Sequence, residues 1–284
     1  MKSNVLFKRV WKDNLEEEMS IIKGFLPSHQ FVSLTTRLLR CRDRVPPAND
    51  WGDIDVNYAT LRLIGDNYKS MVQVGLAFSD KQGMLPRCPV TKRPCVWEFN
   101  LMAVDDAGNG REAADLSEEE ERFLQECCSG TTGERLRREG IHPGFFAVEL
   151  WQCAVLMQDH ICWVVFKGGL DFVALLRWVR HSVQSLPADR AEFLKLLLLY
   201  FPLFYDLAAL MGLHDQWNDG TIGGLGRSVN MEREGEPPHG AAADCLLAMR
   251  IFTALMKLKL STALLEYAVT AVFGVSEEGL DDDS

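Results

Sequence analysis

Residues 161–207 constrain the fold most. Ile161-Cys-Trp-Val-Val-Phe166 is short, apolar and β-branched, the composition of a strand buried on both faces. Gly168 and Gly169 turn the chain into a helical pattern from Leu170 to Arg180. A Leu-rich helix follows Pro187 and runs to about Phe201, and Leu203 to Leu207 reads as a further strand. Strands separated by helices in this way need a sheet whose faces the helices cover.

Upstream, the strand-like runs are Phe31-Val-Ser-Leu-Thr-Thr36, Met71 to Phe78 and Val96 to Leu101; a loop with Pro and Gly between the last two suits a hairpin. Val10 to Gly24 is helical in pattern, with Leu15, Met19 and Ile22 on one face and Pro27 as terminator. Ser117-Glu-Glu-Glu120 has capping-box spacing and starts a helix to about Cys128. Further helices are expected over Pro143–Met157, around Gly224–Val229, and over Ala241–Lys257 and Ser261–Phe273. The fold class is therefore α/β, a mixed sheet with helices on both faces. Residues 1–275 are expected to form one domain, with 276–284, including Asp281-Asp-Asp283, an acidic flexible tail.

Composition narrows the function. A net charge of −10 over 284 residues argues against broad electrostatic binding of nucleic acid, so any RNA contact must be local. Phe193 to Met211 is the most apolar segment, but Lys195, Pro202 and Asp206 interrupt it, and no membrane role is expected. The charged first residues lack the apolar core of a secretory signal, so the protein is expected to stay inside the cell. Eight cysteines lie scattered without the close paired spacing of structural zinc sites and read as reduced, packed thiols; Cys88 and Cys95 are the one pair to check for metal. Trp151, Trp163 and Trp178 read as core, and His29, His142, His160, His181 and His214 show no ligand spacing.

Several stretches resemble one family in the same order. VWKDNLEEEM at Val10–Met19 is similar to its opening helix, and MVQVGLAFSD at Met71–Asp80 and VWEFNL at Val96–Leu101 are similar to its Ile-Gln-Val-Gly-Leu and Trp-Gln-Phe-Asn-Phe strands. WVVFKGGLDFVALL at Trp163–Leu176 resembles the segment that reads Phe-His-Ser-Gly-Tyr-Asp-Phe, and YFPLFYDLAALM at Tyr200–Met211 resembles Phe-Pro-Asn-Ile-Tyr-Asp-Val-Lys. HGAAADCLLA at His239–Ala248 resembles His-Gln-Ala-Gly-Ser-Asp-Ser-Leu-Leu-Thr. The family is that of the poly(A)-specific 3′–5′ exoribonucleases serving as deadenylase subunits of the carbon catabolite repressor–NOT complex. The resemblance covers residues 10 to about 257 and implies an RNase H-like fold of the four-acidic-residue (RNase D-like) exonuclease superfamily. It also implies two Mg²⁺ ions, a histidine base, partners in the NOT scaffold and other deadenylase subunits, the mRNA poly(A) tail as ligand, and a cytoplasmic and nuclear setting.

Carried over residue by residue, the resemblance implies metal binding at Asp171 and Asp244 and a vestigial base at His239. Read alone, the two acids are helix N-terminal residues and His239 a solvated loop histidine after Pro237-Pro238. The family's first motif, Asp-Thr-Glu-Phe-Pro-Gly, falls on Thr35-Thr36-Arg37-Leu38-Leu39-Arg40. Positions 35 and 37 share one face of a strand, where a carboxylate pair would converge on metal, and here they present a hydroxyl and a cation. Lys167, Leu170 and Gly240 replace the family's His, Tyr and Gln. Two divalent ions would meet about one net negative protein charge instead of about four, so two-metal binding is expected to fail. Arg37 is expected to pair with Asp171 or Asp244. The expected function is that of a deadenylase-family protein, catalytically impaired and acting by binding, with Mg²⁺ weak or absent; the alternative is an active exoribonuclease using a reduced metal set on Asp171 and Asp244.

Overall fold

The computed structural model describes residues 4–39, 58, 61–62, 70–104, 116–180, 186–212, 221–257 and 269–272. Among the described residues, six strands form one mixed sheet: β1 (Leu6–Val10), β2 (Phe31–Leu39), β3 (Ser70–Ser79), β4 (Cys95–Asn100), β5 (Cys162–Val165) and β6 (Leu203–Asp206), in the order β1-β4-β3-β2-β5-β6. The β3–β4 and β2–β3 pairs are antiparallel, whereas β1–β4, β2–β5 and β5–β6 are parallel. The hairpin and the buried strand at 162–165 are thus where the apolar patterning put them.

Every residue of β3 and β4 is buried, because the sheet is covered on both sides. Val74, Leu76, Phe78, Trp97, Phe99, Trp163 and Val165 face one layer of helices, α1 (Leu15–Phe25), α4 (Pro143–Cys153), α5 (Gly169–Val179) and α6 (Arg190–Tyr200). The alternate residues Ala77, Val96 and Val164 face the opposite layer, α9 (Ala241–Lys257) with α7 (Leu207–Gly212) and α8 (Ile222–Ser228). The two-residue period of a strand therefore assigns each side chain to a layer. α2 (Glu118–Cys127) and α3 (Gly133–Glu139) cover Leu39, Val72 and Trp11 at one end of the sheet.

α9 lies unusually close to the sheet. A side chain at Gly75 would place its first carbon 2.5 Å from the Ala241 carbonyl, so only glycine admits the helix there. Gln73, on the same strand, accepts a hydrogen bond from the Ala241 N–H at 2.8 Å. This contact brings the first turn of α9 against the β2–β3 pair.

Several boundaries differ from the sequence reading, and the short helices α3 and α7 were not read in it. Val10 ends a strand instead of opening a helix, and α1 begins only at Leu15, where Leu15, Met19 and Ile22 become buried. β1 went unread because its Lys8 and Arg9 break the apolar run. α4 stops at Cys153 and does not reach Met157, because Ala154 adopts a left-handed conformation at φ 56°. The helix expected over Ser261–Phe273 lies outside the described residues except for 269–272, where Val269 bridges to Tyr205. The acidic tail 276–284 also lies outside them.

Among the described residues, the seven cysteines are free thiols. No helix among the described residues is long and apolar enough to cross a membrane. Trp163 is fully buried, while Trp151 and Trp178 pack partly against the core.

Candidate functional site

The end of β2 carries the segment that matters. Because neighbouring strand residues point oppositely, Thr35 and Arg37 face α9 while Thr36 faces α5. Arg37 Nη2 donates to Asp244 Oδ2 at 2.6 Å, and Arg37 Nε donates to the Cys127 carbonyl at 3.1 Å. Thr36 donates from both its N–H and its hydroxyl to Asp171 Oδ1, each at 2.6 Å. The cation thus takes Asp244 and leaves Asp171 to the threonine.

Asp171 is placed by its turn. Lys167, at φ 51°, bends the chain from β5 into α5. Asp206, fully buried at the end of β6, accepts from the Lys167 N–H and the Gly168 N–H, both at 2.9 Å, and from the Ala208 N–H at 3.0 Å. Gly168 must lack a side chain, since its first carbon would stand 2.3 Å from Val165. A carboxylate on the neighbouring strand therefore fixes the turn, and the turn sets Asp171 in the first turn of α5.

Asp244 sits in the first turn of α9 and has a second cation. Arg233 donates from Nε to Asp244 Oδ1, so one carboxylate carries a guanidinium on each oxygen. Nothing in the spacing of Arg233 signalled this, because it lies in a loop eleven residues before its partner. Thr36 gave no signal for a different reason: it lies on the opposite face of the strand from positions 35 and 37, where metal ligands would converge.

These side chains line a cleft of about 930 Å³, together with Lys167, His239, Glu126 and the apolar Phe123, Phe166, Leu170 and Ile222. All five residues singled out from the sequence, Thr35, Arg37, Asp171, His239 and Asp244, meet there. Burial pushes the Asp171 carboxyl up to about 7, against the pull of the Thr36 hydrogen bonds and of Arg37. Burial acts on Asp244 in the same sense, but Arg37 and Arg233 outweigh it and hold that carboxyl below its usual range. Burial also opposes the charge on Arg37, and Asp244 reverses the balance. His239 is lowered by burial and by Arg233.

The donor set does not fit a pair of magnesium ions. Among the described residues, no three His, Cys, Asp or Glu side chains converge as a metal ion requires. The oxygens of Asp244 already accept from two guanidiniums, and one oxygen of Asp171 accepts twice from Thr36. Cys88 and Cys95 are both buried and belong to no such group.

No family model matches the chain, but individual relatives do. It is 32% identical over 257 residues to a probable CCR4-associated factor 1 homolog 10 of Arabidopsis thaliana, covering 89% of this chain and 87% of that protein. It is 31% identical over 252 residues to the poly(A) ribonuclease pop2 of Schizosaccharomyces pombe, covering 86% of this chain and 67% of that one. Among solved structures, S. pombe Pop2p in its Mg²⁺- and Mn²⁺-bound form superposes with a TM-score of 0.70 at 27% identity, over 94% and 99% of the two chains. The yeast CAF1 co-crystallised with the NOT1 MIF4G domain gives 0.73 at 21% identity, over 94% and 96%, which shows the shared fold. With its six-stranded mixed sheet and its cleft at the end of β2, the chain has the RNase H-like architecture of these ribonucleases and belongs to the CCR4-associated factor 1/Pop2 family of deadenylases.

Proposed function

We propose that this chain is a non-hydrolytic member of the deadenylase family that works by binding, as a subunit of a NOT-type complex in the cytoplasm and nucleus. The observation that carries the reading is Arg37 at 2.6 Å from Asp244, on the strand face where the family's carboxylate pair would gather metal. An arginine stays charged throughout the working pH range, so this contact is permanent and repels a divalent ion. Asp171 and Asp244 then remain as remnants of a metal site, His239 as a remnant base, and Mg²⁺ is bound weakly or not at all.

Retention of the whole family fold supports the scaffold role, since yeast CAF1 meets the NOT1 MIF4G domain with the same architecture. Co-purification of the tagged chain with a NOT1 MIF4G domain tests that half of the proposal, and failure to associate at micromolar concentration would overturn it.

The other half is tested by calorimetric titration of Mg²⁺ and by incubation with labelled poly(A) and Mg²⁺ or Mn²⁺, beside an Asp171→Ala control. No saturable heat and no shortening are expected. Shortening that depends on Asp171 would establish instead an exoribonuclease running on a reduced metal set.

A further inference from the structure

The hairpin between β3 and β4 has the opposite charge to the rest of the chain. The whole carries −10, yet from Lys81 to Trp97 there are four cations, Lys81, Arg87, Lys92 and Arg93, and no acid. All four are exposed. Arg87 Nη1 donates to the Lys92 carbonyl at 3.0 Å and Lys92 Nζ to the Pro89 carbonyl at 2.7 Å, so these two cations are held by neutral acceptors that leave their charge uncompensated. Beside them Val90 is 86% exposed and Met84 is 55% exposed, which gives the hairpin an apolar tip as well as a positive rim.

The surface is preformed. Asp80 Oδ1 accepts from the Gln82 N–H at 2.9 Å and from the Met84 N–H at 2.8 Å. The Cys88 N–H donates to the Arg93 carbonyl and the Cys95 N–H to the Pro86 carbonyl, both at 2.9 Å, and Arg93 Nε anchors the loop to the Asn4 carbonyl at 3.2 Å. An occupant therefore loses little free energy in ordering the loop it meets. The hairpin also stands apart from the cleft: β2 pairs Phe31 with Ser79 beside the hairpin and Arg37 with Gln73, six positions further along, or about 20 Å.

A complementary occupant is acidic with an apolar residue among its acids. Residues 277–283 read Glu-Glu-Gly-Leu-Asp-Asp-Asp, five acids around Leu280, and account for half of the net charge of the chain. The register of the sheet brings this segment within reach. The Thr270 N–H donates to the Phe204 carbonyl at 3.0 Å, and Phe204, Trp163, Val32 and Phe78 form one row across β6, β5, β2 and β3. Four steps between neighbouring strands separate Thr270 from the base of the hairpin by about 20 Å. The eleven residues from Val272 to Asp283 can span up to about 37 Å. A free polyanion is repelled by a body of this net charge, whereas a tethered segment is present at an effective concentration on the order of millimolar.

We infer that the acidic segment 277–283 docks on the β3–β4 hairpin of its own chain, its carboxylates on Lys81, Arg87 and Lys92 and Leu280 against the apolar tip. The contact lies outside the cleft, so it stands or falls independently of the proposed function.

The first test is zero-length cross-linking of the full chain with a water-soluble carbodiimide, on an equal mixture of isotope-labelled and unlabelled protein, read by peptide mass spectrometry. Amide links between Lys81 or Lys92 and the acids of 277–283 are expected within one chain, and are expected to disappear at about 1 M salt, where the screening length falls to about 3 Å. Links that join labelled to unlabelled chains make a second copy the occupant and overturn the inference. So does the absence of links at Lys81 and Lys92 when other lysines of the same sample react.

The second test is fluorescence anisotropy of a labelled peptide of residues 275–284. It is titrated with the parent and with a full chain carrying Glu277→Gln, Glu278→Gln, Asp281→Asn, Asp282→Asn and Asp283→Asn. The peptide is expected to bind the neutralised chain about tenfold more tightly, because the segment of the parent competes for the hairpin. Adding Lys81→Glu and Lys92→Glu to the neutralised chain is expected to abolish that binding. Equal affinity for the parent and the neutralised chain, or binding to neither, overturns the inference.

Discussion

Strand β2 divides into two halves built on different rules. From Phe31 to Leu34 it is a packing element: Val32 and Leu34 are fully buried against the α1 and α5 layer, and Phe31 meets Phe252 of α9. From Thr36 to Arg37 it is an electrostatic element, in which both side chains bond a carboxylate from another part of the chain. The first half depends on volume and the second on charge. A chain can therefore exchange the charges of its cleft and keep its fold, provided that the apolar half and its partners are left alone.

The packing rule is tested hardest at Trp97, which is fully buried, touches Phe78 and Phe25, and donates from its indole to Glu18 at 2.8 Å. Trp97→Ala should cost about 3–5 kcal/mol in chemical denaturation, since it leaves a large cavity and a buried carboxylate with one donor fewer. A loss below about 1 kcal/mol would mean that the core tolerates volume change and that packing volume does not set its stability.

The charge rule is tested at Asp244. Asp244→Ala strands two guanidiniums beside each other, and a loss of about 3 kcal/mol is expected, the lower end of what breaking a buried pair costs because Arg233 is partly exposed. Added salt or phosphate should restore part of it. If the variant melts like the parent, the paired charges contribute nothing to the second half of β2.

Glu98 sharpens the comparison, because it is a charge set inside the packing region. Burial pushes its carboxyl above the ordinary value, and hydrogen bonds from Ser129 and from the Ala242 backbone only partly offset this. The folded state therefore binds the proton more tightly than the unfolded state. Stability is fully present below the unfolded value of 4.5, falls as pH rises toward the folded value, and stays lower above it. Glu98→Gln keeps an oxygen for the Ala242 N–H and removes the penalty. The variant should melt higher than the parent at about pH 8, with the gap closing toward about pH 4, at roughly 2–4 °C for each kcal/mol. A gap that does not change with pH would show that this carboxyl titrates normally.

The smallest effect is local. Ser117 and Glu120 form a reciprocal cap at the start of α2, with the Glu120 N–H donating to Ser117 Oγ at 3.2 Å and the Ser117 N–H donating to Glu120 Oε2 at 2.7 Å. Ser117→Ala should cost about 1 kcal/mol in thermal melting.

This cap was legible in four consecutive letters, as were the buried strand at 162–165, the hairpin of β3 and β4, and the apolar stripe of α1. Each is set by neighbours within a turn or two of chain, and local periodicity records such neighbours faithfully. The substitution of a hydroxyl and a cation at positions 35 and 37 was also readable, since strand parity places both on one face.

What the sequence determined by itself was thus the order of most elements, β1, α3 and α7 excepted, and the presence of a cation in the cleft. Only the tertiary structure decided that Arg37 takes Asp244 and not Asp171, that Arg233 joins it on the same carboxylate, and that Thr36 takes Asp171. Arg37 and Asp244 are 207 residues apart. Their pairing depends on how closely α9 approaches β3 over Gly75, and a distance between packed elements has no period in the chain from which it could be read.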